Sequence, residues 1–167
     1  MSDPSLAMQR AIVAALAADS ELVAAIGARI YDTPSPAATF PYLTIGDDDV
    51  RDDSAEGIDA AEMTVQVNVW SRPSARPGWG ECKAIAARVV KVIDQSLPVL
   101  DGFAVVSLDY EATNYLRDPD GLTRRAVITF NALVDAEDVV IIGEDLTLMD
   151  GATALTAMDG ATALVRM

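Results

Sequence analysis

The chain has 167 residues, 51% of them hydrophobic, and its 26 acidic and 12 basic residues give a formal net charge of -14 at pH 7. This length allows one domain with a hydrophobic core plus an appendage, since such a chain buries roughly 70% of its unfolded surface. The negative charge argues against nucleic-acid binding through a basic surface. Histidine is absent, which excludes the Ser-His-Asp and Cys-His catalytic arrangements and removes the commonest zinc ligand.

The single cysteine, Cys82, excludes an internal disulfide and any multi-cysteine metal motif. It lies in a helical pattern where a small buried residue fits, so we interpret it as a core residue rather than a reactive thiol. The first ten residues lack the order of a secretory signal, and no apolar run approaches the roughly 18 residues that span a bilayer. We therefore expect a protein made and kept in a reducing cytoplasm, without membrane contact.

Three segments have the pattern of helices. Residues 4–18 carry apolar side chains at helical spacing after a proline in the first turn, and residues 20–26 form a short second helix that stops at Gly27. Residues 82–97 place apolar side chains at i, i+3, i+4 and i+7 with charged ones opposite, and Pro98 ends the helix. The apolar face of this third helix is expected to cover a sheet.

The strand candidates alternate with these helices. Residues 29–31 look extended, residues 40–45 form a strand, and residues 63–70 alternate cleanly between apolar and polar side chains. Residues 105–116 and 122–134 form a long hairpin around the turn sequence DPDG. This order predicts an α+β fold, a mainly antiparallel sheet of about four strands packed against helices on one side.

The sequence changes character after residue 135. The segment MDGATAL at residues 149–155 recurs at residues 158–164, and each copy has an Asp-Gly pair, which favours a hairpin turn. One glycine per repeat is too few for a calcium-binding nonapeptide repeat. We predict a domain of residues 1–135 and a β-rich extension of residues 136–167. The extension is expected to form a β-meander with short strands at residues 139–142, 146–149, 152–158 and 161–167. A partly disordered low-complexity tail is the alternative.

Five aspartates follow the strand at residues 40–45, namely Asp47, Asp48, Asp49, Asp52 and Asp53. A calcium loop requires oxygen ligands at positions 1, 3 and 5, glycine at 6 and glutamate at 12, and no starting point in this stretch satisfies that frame. A pair of catalytic carboxylates requires a rigid scaffold and distinct environments. We therefore interpret the stretch as a solvated, mobile loop and predict no metal or cofactor site.

Four aromatic residues, Tyr42, Trp70, Trp79 and Tyr115, occupy positions that favour the core or a subunit interface over a ligand site. No glycine-rich phosphate loop is present, so a nucleotide enzyme has no support.

The succession of short motifs resembles the tail-completion or tail-terminator proteins of long-tailed phages and gene transfer agents. The motifs are GARIYD at residues 27–32, FPYLTIG at 40–46, VNVWSR at 67–72 and LRDPDGLT at 116–123. The resemblance covers about residues 4–135, and the joint order is more specific than any single motif. The segment after residue 136 departs from the family pattern and is expected to be a peripheral decoration or an arm that pairs with an adjacent subunit.

The resemblance implies a structural virion protein of the tail or neck, assembled in the host cytoplasm, with no catalytic residue. It implies a homo-oligomer, a hexameric ring, that caps the head-proximal end of the tail tube. The implied partners are the major tail tube protein and the head connector or stopper protein, with DNA passing through without specific binding. The five aspartates would then be a lumen-facing acidic loop that repels phosphate within a screening length of roughly 8 Å.

Two other functions remain open. The protein could be a head-side stopper or connector, which would dock on the head instead of capping the tube. A small cytoplasmic enzyme that uses carboxylates and a divalent metal is the alternative from a different class.

Overall fold

The computed structural model describes residues 3–54, 59–73, 78–94 and 98–136, together with two short strands near the C-terminus. The chain divides into two compact units, residues 1–137 and residues 138–167.

In its described residues, the first unit contains one sheet and three helices. The strands are β1 (Ile30–Tyr31), β2 (Tyr42–Ile45), β3 (Asp49–Asp52), β4 (Ala60–Ser71), β5 (Phe103–Arg117) and β6 (Arg124–Ala136). The helices are α1 (Ser5–Ala18), α2 (Ser20–Ile26) and α3 (Gly80–Asp94).

The sheet has the order β1-β2-β4-β6-β5, and β3 pairs with the first half of β4 on the same edge as β2. All pairs are antiparallel except β1 with β2, which is parallel. The two central strands bury every second side chain because strand side chains alternate between faces. These buried residues belong to one core cluster with residues of all three helices, so the helices cover that face of the sheet.

Helices α1 and α2 end where the sequence predicts, whereas α3 is described to Asp94 and the last predicted residues, 95–97, lie outside the described residues. Asp19 caps α2, since its Oδ1 accepts from the Leu22 amide at 2.8 Å, and Gly27 ends α2 with a φ of 62°. Helix α3 buries Cys82 and four apolar residues on its sheet-facing side, as its periodicity predicts. In the described part of the chain, no helix is long and apolar enough to cross a membrane.

The predicted α+β class, with a mainly antiparallel sheet packed against helices, is confirmed, and the hairpin around DPDG is formed by β5 and β6. The sheet has six strands rather than about four. The two additional strands are β1, whose residues already look extended in the sequence, and β3, which lies in the stretch interpreted as a loop. Both are short and form because longer neighbours supply their hydrogen-bond partners. Local sequence does not reveal such partners.

Within the second unit, Leu155–Thr156 (β7) pairs antiparallel with Thr162–Ala163 (β8), on either side of the second Asp-Gly pair. The other predicted short strands, at residues 139–142 and 146–149, lie outside the described residues. The meander as a whole stays a prediction.

Candidate functional site

The acidic segment does not form the uninterrupted loop that its composition predicts. Asp49–Asp52 form strand β3, and Asp47 and Asp48 lie in the bend between β2 and β3. Val50 is half-buried against the core while its neighbours in β3 are exposed. The strand forms because the first half of β4 extends beyond β2 and offers free hydrogen-bonding groups. Strand alternation points Asp49 away from the face of Val50, and Asp52 is exposed at the end of the strand.

The bend begins at a close approach of two strands. The Gly46 amide donates to the Gln66 carbonyl oxygen at 2.7 Å. A Cβ at Gly46 would lie 2.7 Å from Asn68 Nδ2 and 2.9 Å from Gln66 Cβ, so this position has no room for a side chain. Glycine therefore fixes where β2 ends and the acidic bend starts.

Two carboxylates of the segment, Asp49 and Asp52, have local partners. Arg51 Nε lies 2.8 Å from Asp49 Oδ2, with both side chains more than half exposed. The Ser54 hydroxyl and amide donate to Asp52 Oδ1 at 2.5 and 3.1 Å, which lowers the pKa of Asp52. Within the described ranges, no group of three or more acidic or cysteine side chains is placed to hold a metal ion.

Aromatic rings line the helix-free face of the sheet at its β1–β2 edge. The Tyr42 ring stacks on Trp70 with centroids 6.1 Å apart, and it contacts Phe40 at 5.0 Å and Tyr31 at 5.8 Å. Trp70 Nε1 donates to Thr44 Oγ1 at 3.0 Å. The sequence predicts core or interface positions for Tyr42 and Trp70; Tyr42 is buried and Trp70 is half-buried.

Two arginines cover these rings. The Arg125 guanidinium carbon lies 4.8 Å from the Trp70 centroid, and its Nε and Nη2 donate to Asn68 Oδ1 at 3.3 and 3.1 Å. The Arg72 guanidinium carbon lies 4.8 Å from the Phe40 centroid. Such contacts hold a cation in a fixed position on the surface while leaving part of it open to solvent.

Arg72 also joins the end of β4 to the β5–β6 turn. Its Nη2 lies 2.5 Å from Asp120 Oδ2, and its Nε donates to Thr123 Oγ1 at 3.0 Å. Asp120 further accepts from the Thr123 hydroxyl and amide and from the Leu122 amide at 2.6 to 2.8 Å. These donors hold the pKa of Asp120 well below its usual range, so the carboxylate stays ionised and the turn is rigid.

A second aromatic pair lies on the helix side of the same hairpin. Trp79 and Tyr115 meet edge to face at 5.9 Å, Lys83 Nζ lies 5.1 Å from the Tyr115 centroid, and the Arg124 guanidinium carbon lies 5.4 Å from the Trp79 centroid. Arg124 is 9% exposed, and among the described residues its Nε has no hydrogen-bond partner.

Cys82 lies next to this group and is fully buried. Burial, and secondarily the neighbouring Glu81 carboxylate, raises the pKa of its thiol to about 11. The thiolate that would act as a nucleophile is therefore scarce at neutral pH, as expected of a core cysteine.

The register of the sheet brings positive charge to one end. The end of β4, the start of β6 and the end of β5 are adjacent, since Ser71 pairs with Arg124 and Arg124 with Arg117. We name this the basic end; its cations are Arg72, Lys83, Arg117, Arg124 and Arg125, and its exposed apolar residues are Tyr115, Leu116 and Leu122. Three carboxylates lie at the same end, Glu81, Asp118 and Asp120, and Asp120 is paired with Arg72.

Negative charge collects at the opposite end. The start of β4, the end of β6 and the start of β5 meet there, with Ala60 paired to Asp135 and Phe103 to Ala136. We name this the acidic end; its carboxylates are Glu62, Asp101 and Asp135. Because β4 has 12 residues, the two ends lie roughly 35 Å apart.

The outer edge of β5 has no strand partner within the described ranges. This strand has 15 residues, with register shifts between Val105 and Ser107 and between Tyr110 and Ala112. Val106, at the first shift, is 57% exposed. A long edge strand offers a row of backbone donors and acceptors to another chain.

The sequence profile of the family described as "Tail completion protein gp17" matches residues 10–135. The chain belongs to this family. The resemblance stated from the motifs is therefore confirmed, and the tail completion protein is a structural component of a virion tail. The matched range ends one residue before β6 does.

Two relatives illustrate the likeness. Tail completion protein gp17 of Bacillus phage SPP1 is 23% identical over 124 residues, which are 74% of this chain and 89% of the relative. A chain in the "Virion of native gene transfer agent (GTA) particle" superposes with a TM-score of 0.73 at 28% identity, covering 81% of this chain and 100% of that one. The structure of SPP1 gp17 has a TM-score of 0.51 at 20% identity, over 77% and 88% of the two chains, and shows the same fold.

The sequence did not reveal the two charged ends of this tail completion protein. Residues 72, 83, 117 and 125 are far apart in the chain, and only strand register brings them together. A signal was present in the motifs VNVWSR and LRDPDGLT, which both lie at the basic end.

Proposed function

We propose that this tail completion protein acts without catalysis, as a ring that caps the head-proximal end of a tail tube and joins it to the head connector. The observation that carries the proposal is the combination of family membership with a long unpaired edge strand in β5. An edge of this kind is usually shielded in a monomer, and a neighbouring subunit can shield it in a ring.

The exposed apolar residues support an assembling subunit. Val106, Tyr110, Tyr115 and Leu116 are each at least 40% exposed, and all four lie on β5. Solvent-exposed aromatic and aliphatic side chains on one edge are typical of a surface that another protein covers.

Electron microscopy tests the proposal directly. The purified protein, alone and mixed with tail tubes, is expected to form closed rings, hexamers by our proposal, at one end of each tube. Particles assembled without the protein are expected to carry tubes of uncontrolled length, because nothing stops their growth. A strictly monomeric protein that leaves tube length unchanged would refute the proposal.

A head-side stopper is the second candidate within the same structural class. Co-purification separates the two functions, because a tube cap retains the major tail tube protein whereas a stopper retains the head connector proteins. The alternative of a metal-dependent enzyme makes a different prediction. Calorimetry would then show tight, stoichiometric binding of magnesium, calcium or manganese, and this binding would be lost when the aspartates between residues 47 and 53 are substituted.

We also propose that the acidic segment faces the ring lumen. Asp47 and Asp48, exposed in the bend outside the strands, support this most directly. Carboxylates repeated around a ring would repel the phosphates of passing DNA at distances up to about 8 Å. A map that places Asp47 on the outer surface of the ring would exclude this role.

We further propose that residues 1–135 are the assembling domain and that residues 136–167 are an extension outside the ring contacts. The truncated chain 1–136 is then expected to fold with the melting temperature of the full chain and to form the same rings. A truncated chain that stays monomeric would instead support the alternative role of an arm that pairs with a neighbour.

A further inference from the structure

We propose that the ring forms by contact between the basic end of one subunit and the acidic end of the next, so the occupant of the basic end is a second copy of this chain. This inference rests on the proposed function and specifies which surfaces join.

Charge complementarity within one chain is the first argument. The chain carries a net charge of -14, so two copies repel each other in most orientations. The basic end is the exception, because its five cations outnumber the three carboxylates that lie there. A second copy approaches most favourably when its acidic end faces this surface.

The composition of the basic end is the second argument. It combines arginines with exposed Tyr115, Leu116 and Leu122, and Leu122 is 64% exposed. Arginine and tyrosine are the residues enriched at the energetic centres of protein interfaces. Arg125 on Trp70 and Arg72 on Phe40 are already held in place by the rings beneath them, so less side-chain freedom is lost on contact.

The position of the ends is the third argument. They lie at opposite ends of β4 and are different surfaces of the same chain. A contact between two different surfaces is head-to-tail, and such contacts close into rings when the rotation between subunits permits. A contact between two identical ends would instead stop at a dimer.

Charge reversal tests the contact. The basic-end variant carries Lys83→Glu and Arg117→Glu, and the acidic-end variant carries Glu62→Lys and Asp101→Lys; all four residues are exposed. Each variant alone is expected to self-associate at least about tenfold more weakly than the wild type, measured by sedimentation velocity. The matched controls Lys91→Glu and Asp94→Lys, on the exposed side of α3, are expected to assemble normally.

Mixing the two variants is the decisive step. In an alternating ring, every native acidic end meets a native basic end and every reversed end meets a reversed end. An equimolar mixture is therefore expected to form rings that neither variant forms alone. Restoration also shows that both variants are folded, and circular dichroism of each variant checks this separately.

Several results would overturn the inference. Normal assembly of either variant would do so, as would folded variants whose mixture stays unassembled. Loss of binding to a DNA duplex by the basic-end variant, with ring formation intact, would assign the basic end to nucleic acid instead. If the wild type forms rings that cap tubes and the charge variants assemble equally well, this inference fails but the proposed function stands. If the wild type neither assembles nor binds tubes, both the inference and the proposed function are refuted.

Discussion

Asp19 and Arg88 form a two-point ion pair that fastens α3 to the junction of α1 and α2. Arg88 Nε and Nη2 lie 2.9 and 2.5 Å from the two Asp19 carboxylate oxygens, while Asp19 also caps α2 through the Leu22 amide at 2.8 Å. Arg88 Nη1 adds a contact of 2.9 Å to Glu21. One carboxylate thus orients three helices that together cover the sheet.

The ion pair between Asp19 and Arg88 makes the free energy of unfolding depend on pH in the acidic range. The hydrogen bonds from Arg88 and then from Leu22 lower the pKa of Asp19 from 3.8 to about 2. Since the folded pKa is the lower one, the contribution is fully present above about pH 5 and is lost as the pH falls through 2. Asp19→Asn is expected to lower the melting temperature at pH 7. Near pH 2 the melting temperatures of the variant and the wild type are expected to become similar.

Asp94→Asn is the control for that comparison, because it removes an exposed carboxylate at the end of α3. Thermal melts of the three proteins between pH 7 and pH 2 check the prediction. A constant difference between Asp19→Asn and the wild type over this range would contradict it.

Gly46→Ala is expected to destabilise the fold by about 1–3 kcal/mol, because the added methyl group would overlap Asn68 and Gln66 on β4. Gly80→Ala is the matched control, since no atom lies within 4 Å of its added Cβ and it begins helix α3. Urea unfolding measures both, and the control is expected to be neutral or slightly stabilising. Equal effects of the two substitutions would show that the close approach at Gly46 is relaxed in solution.

The hydrogen bond between Trp70 and Thr44 is expected to contribute about 1 kcal/mol to stability. A double-mutant cycle with Trp70→Phe and Thr44→Val isolates it, because the second substitution should cost little once the first has been made. Additive losses in the free energy of unfolding would mean that the two side chains do not interact.

Asp120→Ala is expected to lower the melting temperature, since it removes the acceptor for Thr123, Leu122 and Arg72 in the β5–β6 turn. Asp118→Ala is the control in the same turn. Asp118 closes the turn through its backbone amide and carbonyl, and the substitution leaves these groups in place. If the two variants melt alike, the Asp120 network does not stabilise the turn.

Cys82 is expected to react with a thiol reagent far more slowly in the native protein than in the unfolded protein at pH 8. Burial both shields the sulfur and raises the pKa of the thiol to about 11. Alkylation followed by mass spectrometry, with and without denaturant, measures the ratio. Equal rates would mean that α3 opens readily from the sheet.

The sequence by itself determined the three helices, the long hairpin and the buried role of Cys82, because each depends on local periodicity or on a turn residue. It also identified the family through the order of its motifs, a property of the chain alone. Only the tertiary structure decided that Asp49–Asp52 form a strand and that the basic residues collect at one end. Both depend on pairing with β4 and β6, and the partners in such pairing are distant in sequence.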